Sequence, residues 1–203
     1  MSARPAPADH AINPIIADRW SARAIDPRPV DRALILSMLE AARWAPSCFG
    51  DEPWRFLLWD RERQPERWEL AMNTLVSGNQ QWARNAPILI LVLADSQFTR
   101  NEKPNRWGQY DAGAAAENLH LQGVANGLVV HQMGGFDANG IQRAFGIPDR
   151  FSAMSMIAVG HPGVVDGSAQ DRKDQDSAPR TRQPLSERVF EGAWNEPMNP
   201  AVK

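Results

Sequence analysis

Four short arrangements in this 203-residue chain could do chemistry. The first is Arg19-x-Ser21-x-Arg23. In an extended segment, residues two apart share a side. Two guanidiniums and a hydroxyl then converge, and the planar fork of arginine matches a pair of phosphate oxygens. The second is Arg180-x-Arg182, where the same spacing applies. Two such sites at opposite ends of one chain suggest a shared anion, although each, read alone, also suits a solvated surface. The third is the loop from Pro46 through Ser47, Cys48, Phe49, Gly50, Asp51 and Glu52 to Pro53-Trp54. Cys48 would need a base and a thiolate-favouring field to act as a nucleophile, and no histidine stands near it. The fourth is Met133-Gly134-Gly135-Phe136-Asp137. Adjacent glycines let a backbone approach a flat ligand and leave N–H groups to donate; a plain turn is the other reading.

The elements that must position these residues follow from periodicity. Residues 1–13 are rich in Ala and Pro and read as a mobile arm. Ile15 to Trp20 suits a short helix. Asp31 is an N-cap for a helix with Leu34, Ile35, Met38, Leu39 and Ala42 on its apolar face, and Pro46 ends it. Arg55 to Trp59 reads as a strand. Pro65 to Val76 reads as one helix with Trp68, Leu70, Met72 and Leu75 inward. The unbroken apolar run Pro87 to Ala94 marks a strand buried on both faces. Residues 95–109 form a long polar loop of the kind that often binds ligands. Asp111 to Asn126 is an alanine-rich helix stopped by Gly127, followed by a strand from Leu128 to His131. Gly140 to Phe145 is helical and Met154 to Gly160 a strand. Residues 161–184 make an extended arm, and Leu185 to Phe190 a last turn. Alternating strands and helices favour a layered α/β or α+β sandwich.

Composition bounds the function. There are 22 Lys+Arg against 24 Asp+Glu, a net charge of −2, with 43% hydrophobic residues. The near-neutral balance argues against a nucleic-acid binder. A single cysteine and four scattered histidines exclude a disulfide framework and make a protein-ligated metal unlikely. No apolar run approaches the ~20 residues of a membrane span, and no apolar leader core stands in the first thirty residues. A cytoplasmic location is expected. No GxGxxG, GxxxxGK[ST] or GxSxG motif occurs.

The motifs together resemble the nitroreductase family of flavoproteins. Ala41-Ala42-Arg43-Trp44-Ala45-Pro46-Ser47 and Glu52-Pro53-Trp54-Arg55-Phe56 carry the likeness. So do Arg19-x-Ser21-x-Arg23 upstream, Ala86-Pro87, Asp111 through Leu119, Gly127-Leu128, Gly134-Gly135-Phe136, Phe145-Gly146-Ile147-Pro148, Val159-Gly160-His161-Pro162 and Arg180-x-Arg182-x-Pro184-Leu185. The likeness spans roughly residues 14–194, read as one domain, with 195–203 as a tail.

The resemblance implies an α+β fold: a three-layer α/β/α sandwich on a mixed, mainly antiparallel sheet. It also implies an intertwined homodimer with FMN at the subunit interface. Arg19, Ser21 and Arg23 then match the FMN phosphate, ribityl and pyrimidine contacts, with Trp20 among them. Arg180 and Arg182 match the C-terminal phosphate clamp, where the family more often has Lys first. Pro46, Ser47, Cys48 and Gly50 match the loop that reaches the flavin from the other subunit. Gly134 matches the residue whose N–H meets flavin N5, with Gln132, Met133 and Gly135 around it. Asn79 matches a side chain near the pyrimidine. Phe49, Trp107 and Tyr110 are expected to wall a site for a small-molecule acceptor. The implied activity is ping-pong hydride transfer from NAD(P)H to a nitroaromatic or quinone. Enoate reduction, dehalogenation, flavin cleavage and a non-catalytic flavin-binding redox module are the alternatives. Gly50 replaces the usual Asn and Glu52 the usual Gln, which removes a polar contact and opens space.

Overall fold

The computed structural model describes residues 4–164 and 178–198. It contains α1 (Pro14–Asp18), β1 (Ile25–Asp26), α2 (Arg32–Arg43), β2 (Trp54–Asp60), α3 (Pro65–Met72), α4 (Ser77–Ala83), β3 (Ile88–Asp95), α5 (Gly108–Ala125), β4 (Val129–Met133), α6 (Ala138–Phe145) and β5 (Phe151–Pro162). Short 3-10 turns stand at Cys48–Gly50 and Leu185–Glu187. The strands run β1-β5-β3-β2, with β4 also paired to β5, and each pairing is antiparallel.

β3 organises the core. All eight of its residues are buried, as a strand covered on both faces must be. Leu89, Leu91 and Leu93 face one apolar layer with Trp68, Met72, Trp82 and Ile141, contributed by α3, α4 and α6. Ile88, Ile90, Val92 and Ala94 face the other, with Ile35, Met38, Ala115, Ala116 and Leu119 from α2 and α5. Helices therefore cover both faces of the sheet, giving the expected three-layer α/β/α sandwich. The Asp31 carboxylate accepts the Ala33 N–H and caps α2. Gly127, at φ 72°, follows α5 in the left-handed conformation that stops a helix.

Two expectations change. Pro65 to Val76 is not one helix: α3 ends at Met72 because the backbone at Leu75 bridges to Phe136 and the Val76 N–H donates to the Gly135 carbonyl. Leu70 is 45% exposed, since Trp68, Ala71 and Met72 already define the buried face of α3. The extended arm is only partly seen, because residues 165–177 lie outside the described segments. Ahead of α1, the Ala6 N–H donates to the Ala17 carbonyl, so the N-terminal segment lies along that helix. Among the described residues no helix is long and apolar enough to cross a membrane, and no group of His, Cys, Asp and Glu could hold a metal.

Candidate active site

The structure brings the two arginine motifs together. Arg19, Arg180 and Arg182 line one cavity of about 560 Å³, closed on its other side by the N-terminal segment from Ala6 to Ile12. Arg180 donates from Nη1 to the carbonyls of Arg4 (2.5 Å) and Ala17 (2.7 Å), and from Nη2 to the carbonyl of Arg19 (2.9 Å). Arg4 in turn donates to the carbonyl of Ala178. The N-terminal and C-terminal segments are thus stitched by side chain to backbone. Arg180 is held below the ordinary guanidinium range, first by burial and then by Arg19, Arg182 and Arg4 around it, with only Asp18 opposing. The cations crowd here with neutral carbonyl partners, which leaves the local field positive.

The segment 19–23 is fixed from below. His131 on β4 donates Nδ1–H to the Ala22 carbonyl at 3.0 Å and stacks on Trp82, ring centroids 4.4 Å apart. Burial pushes the His131 pKa down to about 4, so the ring is neutral near pH 7. Arg19 Nη1 reaches the Ser21 hydroxyl at 3.4 Å. The Trp20 ring packs against the core, with the Arg4 guanidinium 4.7 Å from its centroid. Arg23 is half-buried on the same segment.

A second group forms around the end of β4. The Asn79 amide, in the first turns of α4, donates to the Gly135 carbonyl at 3.1 Å. A Cβ on Gly135 would stand 2.9 Å from Val76 Cγ2 and 3.0 Å from Asn79 Nδ2, so only glycine lets this loop lie on α4. A Cβ on Gly134 would meet nothing within 4 Å. The exposed Gly134 therefore offers bare backbone beside a rigid platform, which is the shape a flat ring system needs. Met133 departs from expectation: its side chain is buried in the core, and only its backbone can face a ligand. Gln132 is held on the opposite face, accepting from the Ser155 hydroxyl at 2.8 Å and contacting His120 Nδ1 at 3.1 Å. His120 also lies 3.3 Å from Glu117, whose carboxyl it holds below the usual range.

The loop after α2 forms the third group. The Ser47 hydroxyl accepts the Glu52 N–H at 3.0 Å, and the buried Asp111 carboxylate accepts the Cys48 N–H at 2.9 Å. Cys48 is half-buried and Pro46 exposed. Phe49, Gly50 and Glu52 all have positive φ. Phe49 meets Phe98 edge-to-face at 6.0 Å, and Trp107 meets Tyr110 at 6.4 Å. Phe49, Trp107 and Tyr110 are exposed, at 72%, 40% and 76%. At the base of the long loop the buried Asp95 carboxylate takes two hydrogen bonds from Arg150, at 2.9 and 2.7 Å.

Comparison with known proteins decides the family. The nitroreductase family model matches residues 16–161. The chain belongs to the nitroreductase family. A crystal structure of an oxidoreductase containing FMN is similar at 33% identity with a TM-score of 0.87, covering 94% of this chain and 96% of that one. A candidate nitroreductase from Desulfovibrio desulfuricans in complex with FMN is 28% identical with a TM-score of 0.70, covering 91% and 99%. A Methanothermobacter thermautotrophicus protein, named as a candidate NADH dehydrogenase/NAD(P)H nitroreductase, is 30% identical over 157 residues, covering 75% of this chain and 78% of its own length.

Sequence reasoning passed over several polar residues that hold these segments in place. His131, Asp111, His120 and Ser155 each act on a partner distant in sequence, 109 residues away for His131 and Ala22. A histidine or aspartate on an apolar helix or strand face is the signal that could have found them, because a buried polar group needs a partner.

Proposed function

We propose that the protein is an NAD(P)H-dependent FMN oxidoreductase that works as a cytoplasmic homodimer and reduces a small electrophilic acceptor by a ping-pong cycle. The observation that carries this reading is the cavity lined by Arg19, Arg180 and Arg182, where three cations stand against one lining carboxylate, Asp9. The residues present fit FMN. Arg19 and Arg182 hold its phosphate, Arg180 holds the segment that carries Arg19, and Ser21 and Arg23 continue along the cofactor. Gly134 offers an N–H beside an open face, which suits a flavin N5, and Asn79 and Gly135 keep that backbone rigid. Pro46, Ser47, Cys48 and Gly50 form the loop that reaches the cofactor of the partner subunit. Several apolar side chains left in solvent, among them Trp44 at 73% and Trp194 at 80%, fit a chain that buries more surface on pairing.

When bound, FMN supplies two-electron chemistry, taking hydride from NAD(P)H and giving it to the acceptor. The protein binds, orients and excludes water; no side chain is assigned as nucleophile or general base. Reduction of a nitro group to nitroso takes one NAD(P)H and one proton and releases water. The test is an absorbance spectrum of the purified protein, cofactor extraction, and NAD(P)H oxidation with a nitroaromatic or quinone. A yellow protein with extractable FMN and turnover is expected. A colourless protein that takes up no FMN refutes the reading. A flavin-loaded protein that reduces neither acceptor points instead to another flavin reaction or a redox module.

A further inference from the structure

Two exposed aromatics on adjoining segments carry arginines on their faces: the Cys48 N–H, next to Phe49, donates to Asp111, one helical turn after Trp107. The Arg100 guanidinium lies 3.8 Å from the Phe49 ring centroid and 5.2 Å from that of Phe98. The Arg106 guanidinium lies 4.4 Å from the Trp107 centroid. A guanidinium stacked on a ring uses its flat face, so its in-plane N–H donors are not consumed by that contact. Among the described residues neither arginine has a carboxylate within ion-pair distance.

Two acids on the same loops, Asp95 and Asp51, are held by other partners, while Glu52 and Glu102 stand exposed there. Asp95 is paired with Arg150 and accepts the Gln97 N–H. Asp51 accepts the Thr99 N–H, and Asp51 and Glu102 both act electrostatically on Arg150. Phe49 adds a sign of constraint. A bulky residue at φ 59° sits in the left-handed region that disfavours side chains, and Phe49 stays 72% exposed.

We propose that this site selects aromatic acceptors bearing an acidic group, with Phe49 and Trp107 stacking the ring and Arg100 and Arg106 binding the acid. The inference rests on the FMN reading above and names its substrate class. A carboxylate matches the arginine fork bidentately, while the stacked ring orients it. Lys103 stands exposed on the same loop.

The test uses the FMN-loaded protein with 4-nitrobenzoate and its neutral counterpart 4-nitrobenzyl alcohol, each with NADH and with NADPH. The expected result is a kcat/KM ratio favouring the anion by about tenfold at low salt. That ratio falls toward one in the Arg100→Gln/Arg106→Gln double variant, and falls in the unaltered protein as salt rises. FMN absorbance confirms that each variant retains its cofactor. An unaltered protein that favours neither acceptor, or the neutral one, overturns the proposal. So does a ratio that survives the double substitution. A drop in the NADPH-to-NADH ratio with no change in the acceptor ratio assigns the arginines to the donor's 2′-phosphate and also overturns it. A protein without FMN, or one that reduces neither compound, defeats the oxidoreductase reading itself.

Discussion

His131 makes the stability of this fold depend on pH in a window that few other groups share. Its ring is 9% exposed, stacked on Trp82 and bonded to the Ala22 carbonyl. Burial lowers its pKa from 6.5 to about 4. The unfolded chain therefore binds more protons than the native one between those values, and stability falls as pH falls through that window. A gap of that size is worth roughly 3 kcal/mol once pH is below both values, and about 2 kcal/mol of it is lost between pH 7 and pH 5. Glu117, also held low in the folded state, destabilises in the same direction, but chiefly as pH falls below the ordinary carboxylate value of 4.5. The interval from pH 7 to pH 5 thus isolates His131 from that carboxylate. The assay is urea denaturation at both pH values, with FMN concentration constant, on the unaltered protein and on His131→Phe. The phenyl ring keeps the stack on Trp82 but cannot titrate. It also loses the bond to Ala22, at a cost of about 1 kcal/mol at either pH. Its pH dependence across the interval should be smaller by about 2 kcal/mol. Equal pH dependence in the two proteins would show that His131 titrates alike in the native and unfolded states.

The two glycines after β4 should respond in opposite ways. Gly134→Ala meets no neighbour, so its unfolding midpoint should hold while FMN affinity drops at least about tenfold, read by flavin fluorescence titration. Gly135→Ala presses on Val76 and Asn79 and should cost roughly 1–3 kcal/mol of stability in denaturant titration. Arg150→Gln leaves the Asp95 carboxylate, 2% exposed, without its partner. It should lower stability by the same measurement, by less than the loss of a fully buried pair because Arg150 is itself partly solvated. Asp111→Ala removes the acceptor of the Cys48 N–H and should speed hydrogen exchange at Cys48 while α5 stays protected.

What the sequence disclosed depended on range. The buried run of β3, the Asp31 cap and the Gly127 stop are local signals, and each appears where the pattern places it. The break between α3 and α4 has no local signal, because it is imposed by pairing between Leu75 and Phe136, 61 positions later. The arginine motifs announced themselves by residue type and spacing, but their joint cavity did not: it needs the N-terminal segment laid along α1. Met133 sat inside a readable motif, yet its place on β4 turns the side chain into the core. Arg100 and Arg106 were invisible as site residues because nothing in a polar loop marks which aromatic a guanidinium will cover.

The partners of Arg180 explain why arginine suits this position better than lysine would. Its acceptors are three carbonyls, two on one terminal nitrogen and one on the other. A forked, planar donor set reaches such divergent acceptors from one position, whereas an ammonium offers its donors from a single atom. The choice of carbonyls also matters electrostatically. Carboxylates would satisfy the same N–H groups more strongly but would cancel the positive field that draws a phosphate. Neutral acceptors fix Arg180 and leave its charge uncompensated beside Arg19 and Arg182. The backbone that Arg180 holds is the one that carries Arg19. Arg180→Lys should therefore weaken FMN binding although the charge is conserved, and Arg182→Lys should weaken it less, because Arg182 makes no comparable set of carbonyl bonds among the described residues. Equal losses in the two variants, measured by FMN titration, would show that Arg180 acts through its charge alone.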